Sequence, residues 1–456
     1  MKAPQKESAR EGILASLVGD LGRTLVRTRE RAWTAAEILG AAARLRPSFL
    51  DGEGPVGIAF AQPGWIVAAL LAAWGTRRRP VLLDPGLRRE AEVLWRERPD
   101  MRVLSDDVAP GDGRVALGEL LAASAPLAEP PDWLTLPADD EPFASLLTSA
   151  STGDNKVIDK QGFQLYRQAE ALASVLSLPA GGRVLSFVPP FHLLGFFYGL
   201  VLPLVEGAET VVATDLAGSA MLELLVKHRP GLVVGTATHY RFLVRAAVKS
   251  KVPRSATLFL SSGAPLDPTV AEAFATRFGT AVRDFYGTTE LGGVALRAWP
   301  DHYRAMREVR WRIDPDSGAL EVMSPWGGGA PGAWLATGDA AERAGDDGFR
   351  LLGRLDCVVK VGGKRFSTVE VEQALRALVG VGEAAVVSYQ RFGEPALAAF
   401  IAPEPGQALD EVAVRAFLAE RLASYKLPRT IVFLPALPRG SHDKIDYQAL
   451  RGLVAG

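Results

Sequence analysis

The chain has 456 residues, 48% of them hydrophobic, and carries 51 basic and 52 acidic side chains. This length is too great for one ordinary core, so we expect two or more domains. Because the charges nearly balance, no global field would attract nucleic acid or an anionic membrane, and we expect neither as a partner.

The cysteine content and the apolar runs indicate a cytoplasmic protein without a membrane span. A single cysteine, Cys357, excludes an internal disulfide and an all-cysteine metal site, which fits a reducing compartment. The N-terminus lacks the apolar core of a secretory signal. The longest uncharged run lies between Arg183 and Glu206. Its three prolines favour a buried strand, a turn and a buried helix over a bilayer span.

The predicted elements of the first three hundred residues alternate between strand and helix. Residues 55–85 and 183–215 each have the pattern of strand, turn, apolar helix and strand. A third series runs from GLVVG at 231–235 to AVRDFYG at 281–287, with helices near 239–248 and 268–278. Such alternation favours parallel sheets covered by helices on both faces.

Three polar loops follow strands of the third series: GTATH at 235–239, SSGAPL at 261–266 and YGTTE at 286–290. They combine Gly, Ser and Thr with an aromatic side chain and a carboxylate. Because loops that leave the carboxyl ends of parallel strands gather along one edge, where ligands bind, we expect a ligand site there.

After about residue 310 short strands with turn signals replace the helices. A capping box, Ser367 to Glu370, predicts a helix over 368–378. Strands near 384–388 and 397–402 and a helix over 410–423 complete a small α/β domain. The predicted fold is therefore α/β, with a large N-terminal domain (1–353) of βαβ-built sheets plus a small β-rich subdomain, a short hinge, and a C-terminal domain (354–456).

The stretch TSASTGDNK at 148–156 has the composition of a phosphate-binding loop. Backbone N–H groups in a Gly/Ser/Thr turn can converge on an anion, and a lysine adds charge. A Ser/Thr-rich surface turn fits the same composition. The stretch does not match the GxxxxGK[ST] loop, whose lysine precedes the hydroxyl.

Seven segments in order carry a family resemblance. They are TSASTGDNK, PPFHLLG (189–195), SSGAPL, YGTTE, TGD (337–339), GRLDCVVKVGGKRFSTVEVE (353–372) and LPRGSHDKID (437–446). From about residue 55 to 450 the sequence resembles the adenylate-forming superfamily of acyl- and aryl-CoA synthetases, amino-acid adenylation domains and firefly-type luciferases. The resemblance implies activation of a carboxylic acid by ATP and Mg²⁺ with release of pyrophosphate, followed by transfer to a thiol.

The resemblance also implies functions for individual residues. The phosphate loop would include Thr148, Ser149, Ser151, Thr152, Gly153 and Lys156. Tyr286 would stack on adenine, beside the backbone of Gly263 and Ala264. Thr289 would contact phosphate and Glu290 would hold Mg²⁺. Asp339 and Arg354 would bind the ribose hydroxyls.

The C-terminal domain is implied to be mobile. Lys444 matches the catalytic lysine, a cation that would bridge the carboxylate and the α-phosphate. Asp356 matches the pivot about which the domain rotates between half-reactions. Gly362 and Gly363 match the strand presented to the acceptor tunnel.

Several positions depart from the family pattern. Ala150 replaces a glycine and Asn155 a proline of the phosphate loop, and Asp443 lies beside Lys444, where it would damp the field of the lysine. Lys160, four residues after Lys156, could also reach phosphate, so the sequence leaves the choice between these lysines open.

The acid pocket is predicted around His192, Thr236, Gly287 and Thr288. Amino-acid adenylation domains place an aspartate near the position of His192, so a non-amino acid, aryl or acyl, is favoured. The acceptor is CoA or the phosphopantetheine of a carrier protein. The alternatives are a nucleotide-binding regulator or pseudo-enzyme with weak turnover, supported by Ala150 and Asp443, and an oxidative luciferase-like reaction.

Overall fold

The computed structural model of the protein describes residues 8–50, 54–86, 101–106, 114–148, 156–176, 178, 181–214, 217–248, 257–330, 332–355, 358–361, 364–391, 394–404, 406–439 and 445–454. The chain forms two compact units. The first comprises Met1–Arg310 and Met323–Ala333, and the second comprises Trp311–Val322 and Trp334–Gly456.

The first unit alternates strands with helices. Its strands are β1 (Thr24–Arg27), β2 (Ala32–Thr34), β3 (Val56–Ala59), β4 (Pro80–Leu82), β5 (Arg102–Ser105), β6 (Arg114–Ala116), β7 (Pro142–Thr148), β8 (Lys156–Gln161), β9 (Arg183–Ser186), β10 (Glu209–Val212), β11 (Leu232–Gly235), β12 (Leu258–Ser261), β13 (Val282–Thr288), β14 (Gly292–Ala298) and β15 (Tyr303–Ala305). Its helices are α1 (Ala9–Val18), α2 (Ala35–Leu50), α3 (Pro63–Trp74), α4 (Gly118–Ala122), α5 (Gly162–Leu176), α6 (Leu193–Phe196), α7 (Leu202–Glu206), α8 (Gly218–His228), α9 (Ala237–Ala246) and α10 (Pro268–Phe278).

These strands form two sheets. One has the order β6–β5–β3–β4–β7–β8, and the other includes the order β2–β1–β10–β9–β11–β12–β13–β14–β15. The βαβ connections give parallel neighbours, such as β3 with β4 and β11 with β12. The apolar strand VGIA of β3 is buried at every position, as expected for a parallel strand covered on both faces. The predicted βαβ series are therefore confirmed.

Local signals set the helix ends. Helix α10 begins where the Asp267 carboxylate accepts a hydrogen bond from the Thr269 amide and Pro268 occupies the first turn, and it ends at Gly279, whose φ is +70°. A carboxylate cap, an early proline and a glycine in the left-handed region are the expected start and stop signals.

The uncharged run after Arg183 forms the predicted strand, turn and buried helix. Strand β9 leads to α6, and a π-helical turn, Phe197–Val201, joins α6 to α7. Within the described ranges, no helix has both the length and the apolarity needed to cross a bilayer.

Parallel strands of the second sheet end along one edge. Val234 lies opposite Ser186, and Gly235 lies opposite Ser261, which in turn lies opposite Asp284. The carboxyl ends of β9, β11 and β12 are therefore side by side, and β13 passes them at Asp284 and continues to Thr288, in the arrangement that places ligand-binding loops together.

The second unit contains shorter elements. Its strands are β16 (Arg310–Ile313), β17 (Ala319–Met323), β18 (Leu335–Ala344), β19 (Gly348–Arg354), β20 (Val358–Val361), β21 (Lys364–Ser367), β22 (Val381–Arg391), β23 (Glu394–Pro403) and β24 (Thr430–Phe433), and its helices are α11 (Thr368–Arg376), α12 (Glu411–Ala419) and α13 (Tyr447–Gly452). Strands β16 to β19 are neighbours in sequence order, β20 pairs with β21, and β22, β23 and β24 form a sheet. Val371 of α11 and Val414 of α12 are buried in one core with strand β22.

The predicted elements of this unit are found at nearly the predicted positions, with one correction. The hydroxyl of Ser367 caps α11 by accepting from the amide of Val369. The carboxylate of Glu370, expected to complete a capping box, instead pairs with Lys426 Nζ at 2.6 Å. The predicted domain boundary between residues 353 and 354 separates the domain expected to move from the rest of the chain, and it stays a prediction.

Candidate active site

The three polar loops predicted to meet at one edge do so. They follow β11 and β12, whose last residues are paired in register, and β13, which lies opposite Ser261 at Asp284 and continues to Thr288. Tyr286, Gly287 and Thr288 are the last residues of β13, and Thr289 and Glu290 continue into the turn toward β14. Glu290 is exposed, so its carboxylate can meet a ligand in solution.

A buried ion pair lies behind Tyr286. The Tyr286 ring is 5.9 Å from the ring of Tyr303, whose hydroxyl donates to Asp284 Oδ2 at 2.7 Å. Arg297 donates to the same oxygen from Nε at 2.9 Å and from Nη2 at 2.7 Å. Its guanidinium also lies 4.5 Å from the Tyr303 ring centre.

This cluster is a fixed support for Tyr286. Burial raises the pKa of Tyr303 far above its ordinary value, so its hydroxyl remains a donor. The side chains of Asp284 and Arg297 are 3% and 14% exposed. A charge-assisted pair with a third hydrogen bond in a buried setting holds its geometry tightly.

The Glu290 turn is held by hydrogen bonds to its backbone. Thr288 Oγ1 accepts from the Leu291 amide at 3.1 Å. The Glu290 carbonyl oxygen accepts from the Gly328 amide at 2.9 Å and from Lys160 Nζ at 3.2 Å. Gly292 follows with φ of +70°, a conformation that favours glycine.

The phosphate-loop stretch joins β7 to β8. Thr148 and Lys156 are paired across the two strands at the base of this hairpin. Ser149, Ser151, Thr152 and Gly153, together with Ala150 and Asn155, lie outside the described residues. Strand β7 therefore ends at Thr148, and strand β8 begins at Lys156, at the two ends of the predicted stretch.

Lys160 lies against the Glu290 turn. Its side chain is 3% exposed, and its ammonium donates to the Glu290 carbonyl. Burial lowers the pKa of Lys160 to about 8, and the nearby Glu290 carboxylate opposes that shift. A lysine that is buried and bonded to backbone is poorly placed for phosphate; the choice between Lys156 and Lys160 stays a prediction.

The loop after β12 offers accessible backbone. Gly263 and Ala264 are exposed, and Gly263 has φ of +83° with no atom within 4 Å of a Cβ built there. The amide of Ser262 donates to the Gly235 carbonyl at 3.2 Å, which ties this loop to the end of β11. An exposed backbone at this edge suits a planar base.

The predicted acid-pocket residues occupy two helix starts at the same edge. His192 precedes α6, is exposed, and its ring lies 4.8 Å from the Phe191 ring. Thr236 precedes α9, where its amide donates to His239 Nδ1 at 3.0 Å. The His239 ring stacks on Phe187 at 5.7 Å. Gly287 and Thr288 lie on β13, as described above.

In the second unit, Asp339 and Arg354 come together. They are paired in register between β18 and β19, and Arg354 Nη1 lies 3.3 Å from Asp339 Oδ1. The same nitrogen donates to the Thr337 carbonyl at 3.2 Å, and the Asp339 amide donates to Thr337 Oγ1 at 3.1 Å. The arrangement presents a carboxylate acceptor beside a half-exposed guanidinium, as ribose hydroxyls require.

The remaining predicted residues of the second unit, Lys444, Asp356, Gly362 and Gly363, lie outside the described residues, as does Asp443. Arg439 and Ile445 form an isolated antiparallel bridge on either side of the stretch that contains Lys444. These assignments stay predictions.

The donor set fits a magnesium ion bound together with nucleotide phosphates. Among the described residues, no group of three or more His, Cys, Asp or Glu side chains could hold a metal alone. Glu290 supplies one exposed carboxylate. Mg²⁺ is commonly held by one or two carboxylates together with phosphate and water oxygens, so this exposed position suits it.

Two family models match the chain. The model for AMP-binding enzymes matches residues 34–320, and the model for the AMP-binding enzyme C-terminal domain matches residues 370–444. The first match alone covers more than half of the chain. The chain belongs to the AMP-binding enzyme family.

Among its relatives in the AMP-binding enzyme family are ligases of aromatic acids. The chain is 31% identical over 385 residues to benzoate–CoA ligase of Thauera aromatica, covering 75% of this chain and 71% of the relative. It is 28% identical to anthranilate–CoA ligase of Pseudomonas aeruginosa, covering 95% and 92%. The hypothesis of a nucleotide-binding regulator finds no support in these relatives.

A solved structure confirms the fold expected for this family. The structure of O-succinylbenzoate coenzyme A synthetase from Bacillus subtilis in complex with AMP has a TM-score of 0.82 and 19% identity, covering 99% of this chain and 98% of that one. The predicted α/β fold, with a large N-terminal and a small C-terminal domain, is therefore confirmed.

Sequence reasoning missed two groups of residues in this AMP-binding enzyme. It did not identify Asp284, Arg297 and Tyr303 behind Tyr286, or the contacts of Lys160 with the Glu290 turn. An aspartate on a predicted strand, two residues after Val282 and two before Tyr286, was the available signal for the first group. The second group left no local pattern, because Lys160 and Glu290 are 130 residues apart.

Proposed function

We propose that the protein is an ATP-dependent, AMP-forming acid–thiol ligase. In the first half-reaction a carboxylate oxygen of the acid attacks the α-phosphorus of ATP, and the bond to pyrophosphate breaks. In the second, a thiol sulfur attacks the acyl carbon, the bond to AMP breaks, and the thiol proton passes to solvent. The products are a thioester, AMP and pyrophosphate.

One observation carries this proposal: Tyr286, Thr289 and Glu290 lie on one strand end and turn, with the Asp284–Arg297 pair fixing the strand from behind. This places an aromatic face, a hydroxyl and a carboxylate in sequence along the edge where ligands bind in such sheets. An aromatic face would stack on adenine, a hydroxyl would bind phosphate and a carboxylate would bind the metal.

The protein groups would mainly position charge. Glu290 would hold Mg²⁺, which supplies neutralisation of phosphate charge when it is bound. Asp339 and Arg354 would orient the ribose, and the hydroxyls and Lys156 of the phosphate loop would hold the β- and γ-phosphates. Attack on phosphorus requires little covalent chemistry from the protein, so orientation and electrostatic stabilisation account for catalysis.

Lys444 would contribute a positive charge that enters the site with the mobile C-terminal domain. Carried by a mobile C-terminal domain with its pivot at Asp356, it would stabilise charge on the carboxylate and α-phosphate during adenylation. Rotation would then present the strand of Gly362 and Gly363 to the thiol. The damping expected from Asp443 would lower the rate without abolishing it.

The acid is proposed to be aromatic. The relatives named for benzoate and anthranilate support this class, and His192 at the pocket edge offers no carboxylate for an α-ammonium group. The proposed acceptor is CoA, with the phosphopantetheine of a carrier protein as the alternative.

Acid-dependent exchange of pyrophosphate into ATP tests the function. Substituted benzoates, straight-chain fatty acids and amino acids are supplied in turn, with Mg²⁺. Exchange with benzoates and with no amino acid is expected, followed by thioester formation when CoA is added. If ATP binds but no acid in the panel supports exchange, the ligase proposal is wrong.

A further inference from the structure

Three buried polar side chains lie where strand β8 passes into helix α5. Lys160 is on the strand and Gln164 and Gln168 are on the helix, and they are 3%, 5% and 8% exposed. We call these three residues the polar row. Deep burial of polar groups is costly unless each has a partner, so the partners indicate what the row does.

Two members of the row bond to the backbone on either side of the Glu290 turn. Lys160 Nζ donates to the Glu290 carbonyl oxygen at 3.2 Å. Gln168 Oε1 accepts from the Gly293 amide at 3.2 Å. The turn is therefore held at both of its ends from the same side.

The third member acts through a tryptophan. Gln164 Nε2 donates to the Trp326 carbonyl oxygen at 3.2 Å, and Trp326 Nε1 donates to the Gly293 carbonyl oxygen at 2.9 Å. Trp326 is 1% exposed. Both backbone groups of Gly293 thus depend on the row, one directly and one through Trp326.

The Glu290 turn also packs closely against the polar row. A Cβ built on Gly292 would lie 2.3 Å from Gln168 Oε1 and 2.8 Å from Trp326 Cδ1. Only a glycine lets the turn approach the row at this distance. The fit leaves the turn little freedom to shift.

Stability alone does not explain a buried ammonium here. Apolar side chains of similar volume often replace buried charges without loss of stability. Lys160, in contrast, directs its cation to the carbonyl of the residue proposed to hold the metal. The free-energy cost of burying the Lys160 ammonium is explained if its hydrogen bond fixes the position of Glu290.

We propose that Lys160, Gln164 and Gln168 are positioning residues that set the place of Glu290 relative to the nucleotide phosphates. The strand and helix that follow the phosphate loop would thereby fix the metal-binding turn. This inference rests on the proposed function for the identity of the metal site, but the positioning itself can be measured without catalysis.

The first measurement is hydrogen–deuterium exchange over residues 286–296. Lys160→Met and Gln168→Leu keep side-chain volume and remove the bonds to the turn. Both variants should raise exchange within the turn, with Gly293 rising about tenfold in Gln168→Leu because its amide loses its acceptor. Tyr166→Phe is the matched control, since it lies on the same helix and removes a buried hydrogen bond to Pro137 instead.

The second measurement is the Mg²⁺ dependence of ATP–pyrophosphate exchange. Removing a group that orients a metal ligand typically costs about 10- to 100-fold in metal affinity or activity. The polar-row variants should need about tenfold more Mg²⁺ for half-maximal rate, with an unchanged KM for the acid. Tyr166→Phe should have the same Mg²⁺ requirement and the same KM for the acid as the wild type.

The two measurements separate the possible outcomes. Unchanged deuterium exchange in both row variants overturns the inference, and so does a loosened turn with an unchanged Mg²⁺ requirement. If the wild-type protein shows no exchange of pyrophosphate with any acid, the proposed function fails by itself. The Mg²⁺ dependence of ATP binding, measured by calorimetry, then decides the inference. If Lys160→Met does not fold, the same two measurements on Gln168→Leu, which removes no charge, decide the inference.

Discussion

Gly338 lies directly against Arg354: a Cβ built on the glycine would lie 2.6 Å from Arg354 Nη2, and the glycine has φ of +76°. The chain therefore passes beneath the guanidinium from Thr337 to Asp339, and at Gly338 it leaves no room for a side chain. This close passage brings the Asp339 carboxylate to within 3.3 Å of Arg354 Nη1.

We predict that Gly338→Ala weakens ATP binding. The added methyl group would displace the Arg354 guanidinium, and the left-handed backbone would cost about 1–2 kcal/mol in addition. The KM for ATP should rise about tenfold or more, because the two residues proposed to bind the ribose, Asp339 and Arg354, are disturbed at once, and each hydrogen bond to the ribose would contribute about 0.5–1.5 kcal/mol. The preferred acid and its KM should not change in steady-state assays.

Gly406→Ala is the matched control for that experiment. Gly406 has φ of +79° and no atom within 4 Å of a built Cβ, so its replacement adds the backbone strain without the collision. It should lower the unfolding free energy as Gly338→Ala does while leaving the KM for ATP unchanged. Equal effects of both variants on that KM would refute the ribose assignment.

The support behind Tyr286 gives a second prediction. Tyr303→Phe removes the hydrogen bond to Asp284 and should cost about 1–3 kcal/mol of unfolding free energy, because a buried acceptor loses a donor. Asp284→Asn removes the negative charge opposite Arg297 and should cost about 3–5 kcal/mol. Both variants should raise the KM for ATP through Tyr286.

Urea unfolding of the two single variants and the double variant checks the coupling. Because the side chains share one oxygen, Asp284 Oδ2, their effects should fall short of additivity by about 0.5–3 kcal/mol. Additive losses, or losses without any change in the KM for ATP, would show that the cluster does not support the nucleotide site.

The sequence predicted the first unit well for a physical reason. Parallel strands buried on both faces need uninterrupted apolar runs, such as VGIA of β3 and LVVG of β11, and these stand out against polar loops. The same loops mark the ligand edge, because glycine and hydroxyl residues follow each run. The position of Tyr286 and Glu290 at the end of such a run could therefore be predicted from sequence, whereas their functions are implied only by the family resemblance and stay predictions.

Contacts between distant residues could not be predicted in this way. Glu370 fits a capping box locally, yet it pairs with Lys426, 56 residues away. Lys160 fits a phosphate contact equally well by spacing, and only the packed structure shows its side chain buried against the Glu290 turn. Local propensity sets elements and loops, whereas tertiary packing decides which partner a polar side chain takes.

The buried carboxyl of Glu372 predicts a pH dependence of stability. Burial raises its pKa above 4.5, although hydrogen bonds from the Val386 amide, Arg376 and Tyr447 oppose the shift. In the unfolded chain the carboxyl loses its proton near pH 4.5. The folded protein keeps the proton to higher pH, so the stability contributed by Glu372 is complete below pH 4.5 and declines as pH rises through the folded pKa.

Glu372→Gln isolates this contribution. The unfolding free energy of the wild type minus that of the variant should fall as pH rises from about 4.5 to 7, because the glutamine does not titrate. Urea unfolding at four pH values measures the difference. Tyr447→Phe keeps the carboxyl and should retain the downward trend, whereas a rising or flat difference for Glu372→Gln would contradict the prediction.

The last prediction concerns the lysine that would act in only one half-reaction. Lys444→Ala should lower ATP–pyrophosphate exchange by about 100-fold or more, as expected for loss of a group that stabilises transition-state charge. Transfer of the acyl group from a supplied acyl-adenylate to CoA should continue near the wild-type rate, because adenylation is bypassed. Single-turnover thioester formation measures that step.

Lys426→Met provides the control for loss of a cation from the same unit. Lys426 pairs with Glu370, with side chains 16% and 45% exposed, and neither residue is among those proposed to bind substrate, so both half-reactions should remain. Loss of thioester formation together with exchange in Lys444→Ala would mean that the lysine acts outside adenylation. Retention of both activities would mean that the charge on the attacking carboxylate and phosphate is stabilised by other groups, and the assigned function of Lys444 would be wrong.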